Sequence, residues 1–188
     1  MATSGSANFE LDVNDYIEEA FERCGLEVRT GYDVKTATRS LNLMFADWAN
    51  RGLNRWTIEQ STLSLTSGTA TYSLPTDTID ILSAVIRTGT GSTQSDTQIT
   101  RISRDTFINI PSKNTEAQPS QWYVDRQIAP IIKVWPTPNT SYTLVYDRLT
   151  RIEDADSSIN TLDVPFRFYP CLAAGLAYYL AMKKAPDR

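Results

Sequence analysis

Acidic side chains are the residues whose spacing could support chemistry in this chain. Glu18 and Glu22 lie one helical turn apart, and Glu153, Asp154 and Asp156 cluster in the segment RIEDADSS. Two carboxylates facing each other across a cleft, one with a raised pKa, could form a hydrolase acid–base pair. An Asp-rich loop could also bind Ca²⁺, but this one lacks the glycine and terminal glutamate of an EF-hand loop. The structural alternatives are that Glu18 and Glu22 belong to a solvated helix face and that RIEDADSS is a polar linker.

The chain contains no histidine. This removes the commonest general base, the middle member of a serine or cysteine triad, and the usual zinc sites. Neither GxxxxGK[ST] nor GxGxxG occurs, so no phosphate-binding loop is indicated. Cys24 and Cys171 form no CxxC pair, and we expect reduced thiols packed in the core, with a disulfide as the alternative. The sequence therefore predicts a protein that is not an enzyme and holds no cofactor or metal.

Aromatic residues offer a second route to function. Trp56, Trp122, Tyr123 and Trp135 lie in or beside a threonine-rich region. If two or more were exposed on one face, they could stack on sugars, which would make the chain a carbohydrate-binding β module. The alternative is that they fill a core or a seam. We therefore mark Trp48, Trp56, Trp122 and Trp135 as candidates for a subunit or domain seam.

The overall composition narrows the class of partner. The 188 residues are 41% hydrophobic and 21% charged, with a formal charge of −4. This size suits one domain or two small ones, and a negative charge disfavours a protein that grips DNA phosphates. The most apolar stretch, CLAAGLAYYLAM, is too short to span a bilayer. The N-terminus lacks a secretory signal, so we expect a soluble cytoplasmic product with no membrane association.

Three helices are predicted to position these residues. The first starts at Asp12 or Asn14 and ends at Gly25, and the second starts after Asp33 and ends at Gly52. The third is predicted after a cap at Asp163, with a kink or a late start caused by Pro170. Apolar residues recur every three or four positions in each: Val13, Ile17, Ala20, Phe21 and Cys24; Ala37, Leu41, Met44, Phe45 and Trp48; Leu172, Leu176, Tyr179 and Leu180.

Between the second and third helices the period changes from helical to alternating. STLSLT and ATYSLP alternate around SGT, which predicts a β-hairpin over residues 61–74. Further strands are predicted at 79–87, 97–103, 121–126, 130–136 and 142–149, with a short helix near 103–110. The fold class is therefore α+β: a helical bundle (10–55 with 160–188) into which an antiparallel β-sandwich or open barrel (56–150) is inserted.

Three segments together resemble a known family. They are LNLMFADWANRGLNRWTIE, LSLTSGTATYSLPTDTIDILSAVIR, and WYVDRQIAPIIKVWPTPN followed by a strand and VPFRFYPCLAAGLAYYLA. In this order they resemble the head-to-tail adaptor (connector or neck) proteins of tailed bacteriophages, particularly short-tailed ones. The resemblance covers roughly residues 10–185.

The resemblance implies a structural virion protein at the head-to-tail junction, assembled in the host cytoplasm. Such adaptors form a homo-oligomeric ring, usually of twelve subunits, beneath the portal protein. The ring extends the DNA channel, encloses double-stranded DNA without sequence-specific binding, and docks the tail nozzle or tube and tail fibre proteins. Apart from the resemblance, the three predicted helices are one short of a standard four-helix bundle, so the fourth helix is either absent or supplied by a partner.

Two sets of residues acquire candidate roles from this picture. The acidic side chains of the first helix are candidates for the channel wall, and a face that only meets solvent is the equal alternative: Asp15, Glu18, Glu19 and Glu22. The basic residues near the C-terminal end are candidates for an arm that reaches the portal: Lys183, Lys184 and Arg188.

Overall fold

The computed structural model describes residues 4–52 and 56–185. The chain divides into two compact units. The helical unit combines the residues up to Trp56 with those from Ile152 onward, and the β unit comprises Thr57–Arg151. The α+β fold class predicted from the sequence is confirmed.

Three helices build the helical unit: α1 (Val13–Arg23), α2 (Gly31–Asn50) and α4 (Tyr169–Lys184). A capping box begins each of the first two helices. In α1 the side chain of Asp12 accepts from the backbone N–H of Asp15, and the side chain of Asp15 accepts from the backbone N–H of Asp12. Thr30 and Asp33 form the same pair of bonds at the start of α2. Such pairs satisfy N–H groups that the first turn leaves without partners. The second helix therefore begins at Gly31, three residues earlier than a start after Asp33 would place it.

The start of α4 also differs from the prediction. Asp163 does not cap it; a 3-10 turn, Phe166–Phe168, leads directly into Tyr169. Pro170 lies in the first turn, where its missing N–H costs no hydrogen bond, so it delays nothing. The three helices share one core, whose fully buried members include Tyr16, Ile17, Phe21, Leu41, Met44, Leu172, Leu176 and Leu180.

The β unit contains two four-stranded sheets. One has the order β1 (Ile58–Leu65), β8 (Tyr142–Thr150), β3 (Thr78–Thr88), β4 (Ser95–Gln98). The other has the order β2 (Thr71–Ser73), β7 (Ile131–Trp135), β6 (Gln121–Asp125), β5 (Thr100–Arg101). All neighbours are antiparallel except β5 and β6, and the short helix α3 (Arg104–Ile108) precedes β6.

Both sheets contribute to a single core, which makes the unit a sandwich. Its members are Leu65, Leu74, Ile81, Ala84, Ile86, Ile99, Trp122, Val124, Ile132, Val134, Leu144 and Tyr146. The predicted hairpin over 61–74 is wrong, because β1 pairs with β8 whereas β2 pairs with β7. The connection turns the chain from one sheet to the other. The Tyr72 hydroxyl fastens this corner by accepting from the N–H of Thr66 at 2.9 Å and donating to the carbonyl oxygen of Thr69 at 2.6 Å.

Candidate assembly surfaces

The four acidic residues assigned to a channel wall lie together along α1. Asp15, Glu18 and Glu22 are exposed, and Glu19 is half-buried. Asp15 is engaged in the cap of its own helix, where its carboxylate accepts from the N–H of Asp12 at 3.1 Å. Glu19 accepts from the Arg23 guanidinium at 2.7 Å. The charges that remain directed outward are therefore concentrated on Glu18 and Glu22.

These acids line a groove between α1 and the start of α4, which we call the acidic groove. Its volume is about 420 Å³. Besides Arg23, which pairs with Glu19, the rest of its lining is largely apolar: Phe9, Leu11, Tyr169, Pro170 and Ala173. Phe9 is 62% exposed. An apolar lining with a charged rim is the composition of a protein-contact surface.

Helix α4 is apolar on all sides. Its sequence, YPCLAAGLAYYLAMKK, carries charge only at its last two residues. One side is buried against α1 and α2, but Ala174, Tyr178 and Met182 lie on the opposite side and are exposed. A helix that is hydrophobic all round is normally buried on all sides. The outward face of α4 is thus an apolar surface that a single chain leaves uncovered.

The predicted portal-arm lysines contact α2. Lys183 Nζ donates to the Ser40 hydroxyl at 2.7 Å, and Lys184 forms an ion pair with Asp33 and lies over the Phe21 ring. The hydrogen bond from Lys184 is the main reason that the pKa of Asp33 falls to about 2. Both lysines therefore fasten the last turn of α4 onto the bundle. Arg188 lies outside the described residues, and the portal-arm role stays a prediction.

Two of the seam tryptophans belong to the helical unit. Trp48 is half-buried against the helical core. Trp56 packs against Phe168, with ring centroids 4.5 Å apart, and its indole N–H donates to the carbonyl oxygen of Asp163 at 3.0 Å. Since the first strand begins at Ile58, Trp56 completes the helical core and does not begin the sheet.

The other two tryptophans belong to the β unit. Trp122 is 1% exposed, and its indole N–H donates to the carbonyl oxygen of Ile99 at 3.3 Å. Trp135 is half-buried and donates to the carbonyl oxygen of Ser112 at 3.0 Å. Tyr123 stacks on Phe107. This arrangement lacks the row of open rings that the carbohydrate-binding alternative requires.

A charge cluster around one buried arginine in the β unit was not predicted from the sequence. Arg148 is 8% exposed, and its guanidinium donates to Glu59 at 2.6 Å, Asp77 at 2.8 Å, Thr78 at 3.1 Å and Ser61 at 3.1 Å. Burial opposes the charged form, but the hydrogen bonds to Asp77 and Glu59 outweigh it and raise the pKa of Arg148. The alternation of side chains along β8 could have predicted the burial of Arg148, because it places this residue on the face of the strand that points into the core.

The remaining candidates have local structural partners. Cys24 and Cys171 do not form a disulfide; Cys24 Sγ donates to the carbonyl oxygen of Ala177 at 3.2 Å. Cys171 is exposed, so the expectation that both thiols lie in the core is wrong for it. In the Asp-rich segment, the Asn160 amide and the Ser157 N–H lower the pKa of Asp156.

Within 4–52 and 56–185, no group of three or more acidic or cysteine side chains is arranged to hold a metal ion. In the same ranges, no helix combines the length and the apolar character needed to cross a membrane.

Comparison with known proteins identifies the family. The family model described as SU10 adaptor protein matches residues 11–188. The chain belongs to the SU10 adaptor protein family. The resemblance to adaptor proteins drawn from the sequence is thereby confirmed.

No functionally curated protein matches this SU10 adaptor family member. Among solved structures, a chain from the neck of an empty GTA particle, computed with C6 symmetry, is similar to it. The identity is 12% and the TM-score 0.30, over 92% of this chain and 82% of that chain.

Proposed function

We propose that this chain is a structural virion protein, a head-to-tail adaptor that forms a ring beneath the portal protein. The observation that carries the proposal is membership of the SU10 adaptor protein family over residues 11–188. In this role the protein performs no catalytic step and needs no cofactor. Its work is to make contacts with copies of itself, with the portal and with the tail. The ring has twelve subunits, lies at the head-to-tail junction of the virion, and is assembled in the host cytoplasm.

The outward face of α4 supports an assembly role. Tyr178 is 64% exposed and Met182 53% exposed, and Phe166, just before the helix, is 67% exposed. Apolar side chains that recur along one face of a helix mark a surface for another protein, whereas scattered ones are ordinary. We propose that this face is covered in the assembled junction.

The β unit is proposed to dock the tail nozzle or tube and the tail fibre proteins. Ile128, between β6 and β7, is 99% exposed, and Ile108 and Leu82 are 58% and 49% exposed. Such side chains can anchor a partner if its surface supplies matching pockets. The rigid sandwich beneath them would present them without a large ordering cost.

The proposed ring also extends the channel through which double-stranded DNA leaves the head. Each chain carries a formal charge of −4, so a ring of twelve would carry roughly −48. A negative wall repels phosphates and lets DNA slide without sequence-specific binding.

The test is assembly with the portal. Native mass spectrometry and negative-stain imaging of the full chain, alone and mixed with the portal ring of the same particle, should reveal a ring or a ring-on-portal complex. Substituting Tyr178→Glu with Met182→Glu should abolish that complex, because two charges would enter an apolar contact. A chain that stays monomeric with and without portal would refute the proposal.

A matched control is available on the β unit. Leu82→Glu with Ile108→Glu makes the same chemical change at two exposed apolar positions outside the helical unit. This control should retain the ring and lose binding to tail proteins. If instead the α4 variant assembles as well as the wild type, the α4 face is not covered in the assembled junction.

A further inference from the structure

Helices α1 and α2 carry opposite charges on their outward faces. Glu18 and Glu22 are exposed on α1, one turn apart. Lys35 and Arg39 are exposed on α2, also one turn apart. With a rise of about 1.5 Å per residue, each pair spans about 6 Å along its helix. The two pairs are therefore matched in spacing and opposite in sign.

Within the described residues neither pair is ion-paired, although Arg23 shares the groove with Glu18 and Glu22 and Asp156 lines a pocket with Lys35 and Arg39. Like charges four residues apart on a helix repel each other, so each pair opposes its own helix. Among the described residues, Glu18 accepts from the neutral side-chain amide of Asn14, at 2.8 Å. Across the described part of the chain, no ion pair is found for Glu18, Glu22, Lys35 or Arg39. Bringing the two faces together would add attractions between opposite charges, which offset the repulsion within each pair.

Apolar side chains flank the charges on both faces. Tyr32 lies one turn before Lys35 and is 73% exposed, and Leu43 lies one turn after Arg39 and is 55% exposed. We call Tyr32, Lys35, Arg39 and Leu43 the basic face of α2. Its counterpart, the acidic groove, has apolar lining beside Glu18 and Glu22. Each surface thus combines apolar contact area with charge, as protein interfaces do.

We propose that the basic face of α2 in one copy docks into the acidic groove of the next copy. Lys35 and Arg39 would face Glu18 and Glu22, with Tyr32 and Leu43 against the apolar lining. Because two different surfaces of one chain meet, the contact is heterologous and repeats head to tail, as a closed ring requires. The inference rests on the proposed ring. It assigns Glu18 and Glu22 to the subunit boundary in place of the channel wall.

A charge-swap experiment tests this contact. Lys35→Glu with Arg39→Glu makes both faces acidic, and Glu18→Lys with Glu22→Lys makes both basic. Each double variant alone should lose at least nine-tenths of the ring seen for the full wild-type chain, by native mass spectrometry with and without portal. An equimolar mixture should restore a ring in which the two variants alternate. The chain with all four substitutions should also assemble by itself.

Matched controls separate local pairing from overall charge. Arg29→Glu with Arg104→Glu, and Glu27→Lys with Glu153→Lys, make the same charge changes at exposed positions outside both surfaces. These controls should assemble as the wild type does. Circular dichroism of every variant should retain the wild-type spectrum, since all the altered side chains are exposed.

The outcomes distinguish this inference from the function on which it rests. A wild-type ring together with unimpaired double variants would overturn the contact and leave the adaptor role intact. Impaired variants that the mixture and the fourfold chain both fail to rescue would also overturn it, since another molecule would then occupy one of the faces. A wild-type chain that forms no ring under either condition would overturn both.

Discussion

The charge cluster around Arg148 gives an asymmetric prediction about stability. The guanidinium is buried, whereas the side chains of its partners Glu59 and Asp77 are 56% and 48% exposed. Removing the acids with Glu59→Ala and Asp77→Ala leaves a buried charge without a counter-ion, which should cost about 3–5 kcal/mol. Removing the cation with Arg148→Met leaves carboxylates that water can reach.

The cost of Arg148→Met should therefore be smaller, about 1–3 kcal/mol, chiefly because the buried Thr78 hydroxyl loses its partner. The chain with all three substitutions should be more stable than the chain that lacks only the acids. The reason is that methionine fills similar space without a charge that requires hydration or pairing. The order of stability is thus wild type, then Arg148→Met, then the acid-deficient variant.

Hydrogen exchange of the β8 amides is the appropriate assay, because it reports the opening of this sheet separately from the helical unit. Arg87 and Asp96 form a control pair, joined at 2.8 Å, with side chains 30% and 36% exposed. Removing either Arg87 or Asp96 should change the hydrogen-exchange protection of the β8 amides only slightly, and by a similar amount for the two residues. If Arg148→Met costs as much as removing both acids, burial of the guanidinium does not govern the energetics and the reasoning is refuted.

Three further predictions concern the helical unit. The pKa of Asp33 is lowered to about 2, against about 3.9 in the unfolded chain. Its carboxylate therefore stabilises the fold fully above the unfolded value and loses this effect as it is protonated. In acid titrations followed by circular dichroism, Asp33→Asn should lose less stability between pH 4 and pH 2 than the wild type does. In urea denaturation, Gly175→Ala should destabilise the wild type, because the added Cβ would lie 2.6 Å from Met44 Sδ. In a Met44→Ala background the same substitution should stabilise the chain by about 1 kcal/mol, because alanine favours a helix more than glycine does. Destabilisation in both backgrounds would contradict this prediction. Trp48→Ala should cost roughly 2–3 kcal/mol in the same assay, less than the 3–5 kcal/mol of a fully buried ring, and a change near zero would mean that Trp48 does not support the core.

The sequence predicted the helices well because their signal is local. Residues such as Ile17, Leu41 and Leu176 recur at helical spacing, and all three are buried in the shared core. The start of α2 was misplaced because Asp33 occupies the third helical position of a capping box, whose N-cap is Thr30. The same residue types favour both positions, so the sequence alone did not distinguish them.

The strands were located better than they were paired. Alternation correctly marked strands near Leu63 and Tyr72, but the partner of a strand depends on residues far along the chain. Leu63 lies opposite Leu144, and Tyr72 opposite Ile132. A short turn between two alternating segments favours a hairpin when considered alone. Burial of residues from both segments in one core between two sheets overrides that preference.

The candidate surfaces were predicted only in part. The acidic residues of α1 were found because helical spacing places them off the apolar stripe, and the uniform apolar character of α4 is legible in its sequence. Lys35 and Arg39 were missed, because two isolated cations in a helix are ordinary solvated residues. Their significance depends on which sides of α1 and α2 the bundle leaves exposed, and on Tyr32 and Leu43 beside them.

By itself, the sequence determined the periods of its helices and strands, the lack of histidine chemistry and the resemblance to adaptor proteins. These properties follow from residue identity and from spacing within a few turns. Tertiary structure alone decided that Arg148 pairs with Glu59 and Asp77, that Trp56 completes the helical core, and that α4 leaves Tyr178 and Met182 uncovered. Such features depend on contacts between residues far apart in the chain, and the local spacing of residues does not determine those contacts.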